Sequence, residues 1–183
     1  MQLDEQRLGG SEVFRGRFLR VNRDEVRLPD GTRASREYVR HPGAVAVLAL
    51  TGDGELVLER QYRYPLARTF VEIPAGKIDP DEAHEATARR ELMEETGYSA
   101  ARWTWLGTAY PCIGYSDEAI HYYLAEGLVS GERALDDGEF LEVFTLPLAT
   151  VRQMAGSGEI CDSKTLVGLY WLDAHLAKAG RDG

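Results

Sequence analysis

GKIDPDEAHEATARRELMEETGY, residues 76–98, is the stretch whose reading decides the fold. It contains five glutamates, and Glu91, Glu94 and Glu95 stand three and four positions apart, the spacing that shares one helix face. At 100° per residue they fall within an arc of roughly 100°. Three anions crowded there repel one another, and a cation offsets that cost. Oxygen-only ligands suit a hard divalent ion, Mg²⁺ or Mn²⁺. The alternative is a solvated acidic face partnered by Arg89 and Arg90. Local signals predict a helix over roughly 80–96, with Asp79 as N-cap, Pro80 at the first helical position, Glu82 at the third as in a capping box, and Gly97 as the stop. On the same wheel Glu82 lies nearly opposite Glu91, so capping competes with ligation there and Glu82 is not counted among the primary ligands.

Upstream, Thr69–Gly76 (TFVEIPAG) leads into this stretch. Glu72 sits among apolar residues, where a carboxylate wants a partner or a ligand. Pro74 and the two small residues after it make a tight turn that leaves backbone carbonyls, such as that of Ala75, near the acidic face. Residues 43–50 (GAVAVLAL) are continuously apolar and β-rich, which predicts a buried central strand. Thr51-Gly52-Asp53-Gly54 is a hairpin turn, and 55–59 returns. Arg60-Gln61-Tyr62-Arg63-Tyr64-Pro65 then places two arginines and two tyrosines at a strand end. They suit phosphate binding and base stacking, or else form an aromatic edge with solvated charges. Residues 1–40 are polar and strand-like around a Pro29-Asp30-Gly31 turn. They predict a meander of three strands, too thin to hold a core alone, that serves as an edge sheet of the same domain or as a dimer arm.

Downstream, Ala101–Tyr110 and Ala119–Ala125 read as strands around the loop Pro111–Glu118. His121 reads as a strand residue beside tyrosines rather than a catalyst. Glu132–Glu142 is acidic and turn-rich, 142–146 is a last strand, and 148–154 is helical. A C-terminal amphipathic helix over 162–178 is capped by Asp162 and packs through Leu166, Leu169, Tyr170 and Leu176. The order of elements predicts an α+β fold, a mixed β-sheet sandwiched between helices with an N-terminal antiparallel sheet extension.

The chain of 183 residues fits one domain with a small extension. Its net charge of −9 argues against general affinity for nucleic acid. It has no apolar run long enough for a membrane span and no apolar signal core, so the expected location is cytoplasmic. Cys112 and Cys161 form no metal motif and are expected to be free thiols.

Gly76, Glu82, Arg90-Glu91-Leu92, Glu94-Glu95, Gly97 and Tyr98 resemble the Nudix box at every defined position, with Tyr98 in the usually aliphatic last slot. VAVLAL, ERQYRYP, VEIPAGKID, the PCIGYSDE loop and EICDSKTLVGLYWL extend the resemblance to the ADP-ribose pyrophosphatase branch. Pro111 lies near the position of that branch's marker proline, while Cys112-Ile113-Gly114 departs from its commoner Ser-Pro-Gly loop. The resemblance implies a dimer arm at 1–42 and a Nudix domain at 43–183. It implies a homodimer that hydrolyses a nucleoside diphosphate sugar, ADP-ribose first, to AMP and ribose 5-phosphate. A GDP-mannose-type substrate and a non-catalytic ligand-binding module are the alternatives. Metal ions are expected on Glu91, Glu94, Glu95 and the Ala75 carbonyl. Catalytic roles fall to Glu94 and to Glu139 on the late acidic loop, with Asp137 as the substitute base and a solvated acidic turn as the alternative reading of 136–142. Arg60, Arg63, Glu72 and Glu118 are expected to bind substrate, with Arg36 or Tyr38 supplied by the second chain.

Overall fold

The computed structural model describes residues 3–135, 138 and 140–180. These fall into two compact units, one of Met1–Pro42 with Tyr110–Ala119 and one of Gly43–Ala109 with Ile120–Gly183.

The first unit is an antiparallel sheet of β1 (Gln6–Arg15), β2 (Arg20–Arg27) and β3 (Arg33–Arg40) in that order. The run around Val13–Val21 is broken by a reversal in which the Gly16 N–H donates to the Leu19 carbonyl at 2.8 Å. The Pro29-Asp30-Gly31 signal makes the second turn: Gly31 sits at φ +88°, and the Asp30 carboxylate accepts the Thr32 N–H and hydroxyl at 2.9 and 2.6 Å. Asp24 is buried in this thin sheet and survives because Arg7 grips it at 2.7 and 3.2 Å and the Tyr38 hydroxyl donates to it at 3.1 Å. The Arg7 hydrogen bond holds its pKa below the usual carboxylate range.

The second unit is a mixed sheet, β10 (Leu141–Pro147), β5 (Glu55–Arg63), β4 (Ala44–Leu50), β9 (Ile120–Ser130) and β8 (Tyr98–Ala109) across its width. β4 runs parallel to β9, and β6 (Arg68–Glu72) adds to β5. β4 and β5 pair only at Leu50 and Leu56 beside their turn, then diverge. β7 (Ala75–Lys77) takes over as the partner of β4, and the Val47 N–H donates to the Pro74 carbonyl at 2.9 Å. Residues 72–77 are thereby carried to mid-sheet.

GAVAVLAL is apolar throughout because both faces of β4 are covered. Ala46 and Leu48 pack with Leu148 and Val151 of α2 (Leu148–Ser157) and Leu169 and Leu172 of α3 (Ser163–Ala179). Val45, Val47 and Ala49 pack with Ala88 and Leu92 of α1 (His84–Thr96). The inner stripe of α3 is Thr165, Leu169 and Leu172, with Gly168 close against Ile73 and Leu48. Leu166 and Tyr170, expected to pack, are 38% and 70% exposed, because the helical period turns them away from that stripe.

Candidate active site

The acidic helix begins one turn later than local signals predict. Asp79–Glu82 is a turn closed by the Glu82 N–H on the Asp79 carbonyl at 3.1 Å, with Asp81 at φ +64°. A left-handed residue cannot sit inside a helix, so α1 starts at His84, with Ala83 at the N-cap and no side-chain cap. The expected capping roles of Asp79 and Glu82 are therefore corrected. Glu82 instead accepts from the Thr87 hydroxyl at 2.8 Å and from Arg90 at 3.0 and 3.2 Å, and these bonds pull its pKa down to about 2. At the other end Gly97 stops the helix at φ +76°, its N–H on the Met93 carbonyl at 2.8 Å.

β7 supports the carboxylates from below. The Ala75 N–H donates to Glu95 at 3.0 Å, and Glu95 is 4% exposed. Glu91 lies directly on Gly76: a Cβ at residue 76 would stand 1.8 Å from the Glu91 carboxylate carbon. Arg90 spans the cluster, its Nη1 donating to Glu91 and to Glu94 at 2.9 Å each. It offsets part of the mutual repulsion, and the Glu82 hydrogen bond raises its own pKa. Among the described residues no group of three or more His, Cys, Asp or Glu side chains is placed to hold a metal ion. Glu91, Glu94 and Glu95 nevertheless present an oxygen-only donor set on one helix face, with two of the three seated on β7. That chemistry fits a hard divalent ion.

The first turn of α1 has a separate anchor. The His84 ring stacks on His121 of β9 at 4.5 Å and its Nδ1 bonds the Tyr123 hydroxyl, while His121 Nδ1 bonds the Thr108 hydroxyl at 2.9 Å. His121 is thus a strand residue with structural partners, as its sequence reads.

Glu72, 3% exposed, has found the partners its apolar setting demands. Arg63 grips it through Nε and Nη2 at 2.8 and 2.6 Å, and the Lys164 ammonium donates to the same Oε2 that Nη2 takes. Burial would raise the Glu72 pKa; the Arg63 and Lys164 contacts outweigh it and leave the carboxyl below its usual range. Arg60 is not brought to the α1 carboxylates. It pairs with Glu142 at 3.1 Å and lies 4.0 Å over Phe144, which packs on the α2 and α3 side of the sheet. Arg36, Tyr38 and Glu118 belong to the first unit. There Arg36 pairs with Glu5 at 2.9 Å, Tyr38 with Asp24, and Glu118 stands 3.7 Å from His41. Glu139 and Asp137 lie outside the described residues.

Lys164 escaped the sequence reading, although a signal was present. A lysine in the first turn of a helix opposes the dipole and needs nearby carboxylates. It has two, Glu72 and Asp162.

Comparison with known proteins gives the family. The NUDIX domain family model matches residues 39–164, and the model described as nucleoside diphosphate sugar hydrolase N-terminal domain matches residues 5–39. An ADP-ribose pyrophosphatase of Bacillus subtilis is 42% identical over 93% of each chain. One from Mycobacterium tuberculosis is 33% identical, over 97% of this chain and 86% of its own. A GDP-mannose pyrophosphatase of Salmonella typhimurium is also 33% identical, over 80% and 86%. A crystal structure described as an ADP compounds hydrolase superposes with a TM-score of 0.87 over 99% of both chains at 24% identity, and so shares the fold. With the glutamates of the acidic helix seated on a glycine-bearing strand and the family match spanning most of its length, the chain belongs to the Nudix hydrolases, in their ADP-ribose pyrophosphatase branch.

Proposed function

We propose that this protein hydrolyses the diphosphate bridge of ADP-ribose to AMP and ribose 5-phosphate, using divalent metal. The observation that carries this reading is the seating of Glu91 and Glu95 on Gly76 and Ala75, which aligns the acidic face of α1. The named ADP-ribose pyrophosphatases among its relatives favour ADP-ribose. The GDP-mannose pyrophosphatase relatives make that substrate the second arm of the test.

In this reading Glu91, Glu94, Glu95 and the Ala75 carbonyl hold Mg²⁺ or Mn²⁺. When bound, the ion neutralises the diphosphate and lowers the pKa of water. The chain's own residues do the rest. Arg63, fixed by Glu72, attracts the phosphates. Glu139, ahead of β10 in the chain, takes the proton of the attacking water, with Asp137 as its substitute. Water adds to one phosphorus, the bridging P–O bond breaks, and the two monophosphates leave. A homodimer brings Arg36 or Tyr38 of the second copy to the substrate.

Purified protein with Mg²⁺, offered ADP-ribose and GDP-mannose in parallel, is expected to release AMP from the first at the higher kcat/KM. Chelation is expected to stop turnover and added Mg²⁺ to restore it. Turnover of GDP-mannose alone would replace the substrate, and undiminished turnover in chelator would remove the metal.

A further inference from the structure

Lys164 is the second residue of α3, where a positive charge opposes the helix dipole. Its side chain is nonetheless only 13% exposed, fixed between Glu72 and Asp162, the latter at 2.9 Å. Asp162 is also the helix cap, accepting the Thr165 N–H at 3.0 Å and the Thr165 hydroxyl at 2.7 Å. The same hydroxyl accepts the Ile73 N–H at 3.0 Å. The first turn of α3 therefore grips two consecutive residues, Glu72 and Ile73. Those residues lead directly to Ala75, whose N–H binds Glu95.

The charges point the same way. Arg63, Glu72, Lys164 and Asp162 balance as two cations and two anions. Without the ammonium, the cluster would carry a net negative charge beside Arg63, and a doubly held Glu72 would lean on the arginine alone. An anionic diphosphate would then meet a weaker Arg63.

We propose that Lys164 is a positioning residue of the diphosphate-binding side: it holds Glu72 and keeps Arg63 effective toward a nucleoside diphosphate sugar without touching that ligand. This rests on the reading of Arg63, fixed by Glu72, as the group that attracts the phosphates.

The test is steady-state kinetics of the full chain on ADP-ribose with excess Mg²⁺, with thermal denaturation of each variant. Lys164→Met is expected to raise KM about tenfold with kcat within about threefold, and Lys164→Arg to restore most of the KM. In a Glu72→Gln background Lys164→Met is expected to change KM less than about twofold, since the charge it serves is gone. An unchanged KM in folded Lys164→Met, or a loss of kcat and Tm alone, overturns the proposal. Should Lys164→Met not fold, Lys164→Gln carries the same comparison. Arg63→Gln separates the two levels: if it raises KM and Lys164→Met does not, only the role of Lys164 fails. If Arg63→Gln leaves KM unchanged, the substrate-side reading fails first.

Discussion

Gly76 shows how much a single hydrogen atom in place of a methyl decides. The glycine is legible in the sequence as part of a spaced pattern, but the pattern does not say why it is glycine. The reason is spatial: the Glu91 carboxylate occupies the volume a Cβ would need. Gly76→Ala is therefore expected to push Glu91 off β7, and a displacement near 1 Å at a reacting centre costs on the order of 100-fold. Overpacking there is expected to destabilise the fold by about 1–3 kcal/mol. Turnover on ADP-ribose and urea denaturation check the two effects together. Wild-type turnover in this variant would mean that the seat of Glu91 is unimportant. Glu72 teaches the complementary lesson. Its need for a partner follows from its apolar neighbours, whereas the identity of one partner, Lys164, lies ninety-two positions away and is visible only in the folded chain.

At the scale of the element, α1 is defined by what interrupts it. Gly97 was readable as its end because a left-handed stop is a local property. The start differs from its local signals because Asp79, Pro80 and Glu82 carry the residue types of a capping box, while Asp81 adopts a left-handed turn instead. Glu82, released from capping, joins Arg90, and that pair ties the approach of the helix to its acidic face. The hydrogen bonds from Arg90 and Thr87 pull the folded Glu82 carboxyl down to about 2, from an ordinary value of 4.5. A depressed carboxylate stabilises the fold above its unfolded pKa and loses that contribution as pH falls through its folded one. Wild type is thus expected to be more stable than Glu82→Gln above about pH 4.5, with the difference vanishing toward about pH 2. Urea midpoints across that range measure it, and a difference independent of pH would assign the effect to packing rather than charge.

For the whole molecule, the α+β order and the mixed sheet between helices were legible because hydrophobic period reports burial. GAVAVLAL has no polar face, so both sides of β4 had to be covered. The expected homodimer is a matter of mass: light scattering at micromolar concentration is expected to give twice the mass of one chain. A monomer under turnover conditions would remove Arg36 and Tyr38 of a second copy from the reaction. What the sequence determined by itself is what depends on neighbours along the chain: strand and helix periods, the stops at Gly31 and Gly97, and the acidic spacing that identifies the family. What only the tertiary structure decided is which distant groups meet. Arg60 lies over Phe144 and pairs with Glu142, and Lys164 reaches Glu72 from the far end of the chain. The physical reason is that a charge on one element meets a partner on another only where packing brings those elements together, as β10 pairs with β5 and α3 packs on the sheet. That arrangement is set by the burial of both sheet faces together and by no local stretch.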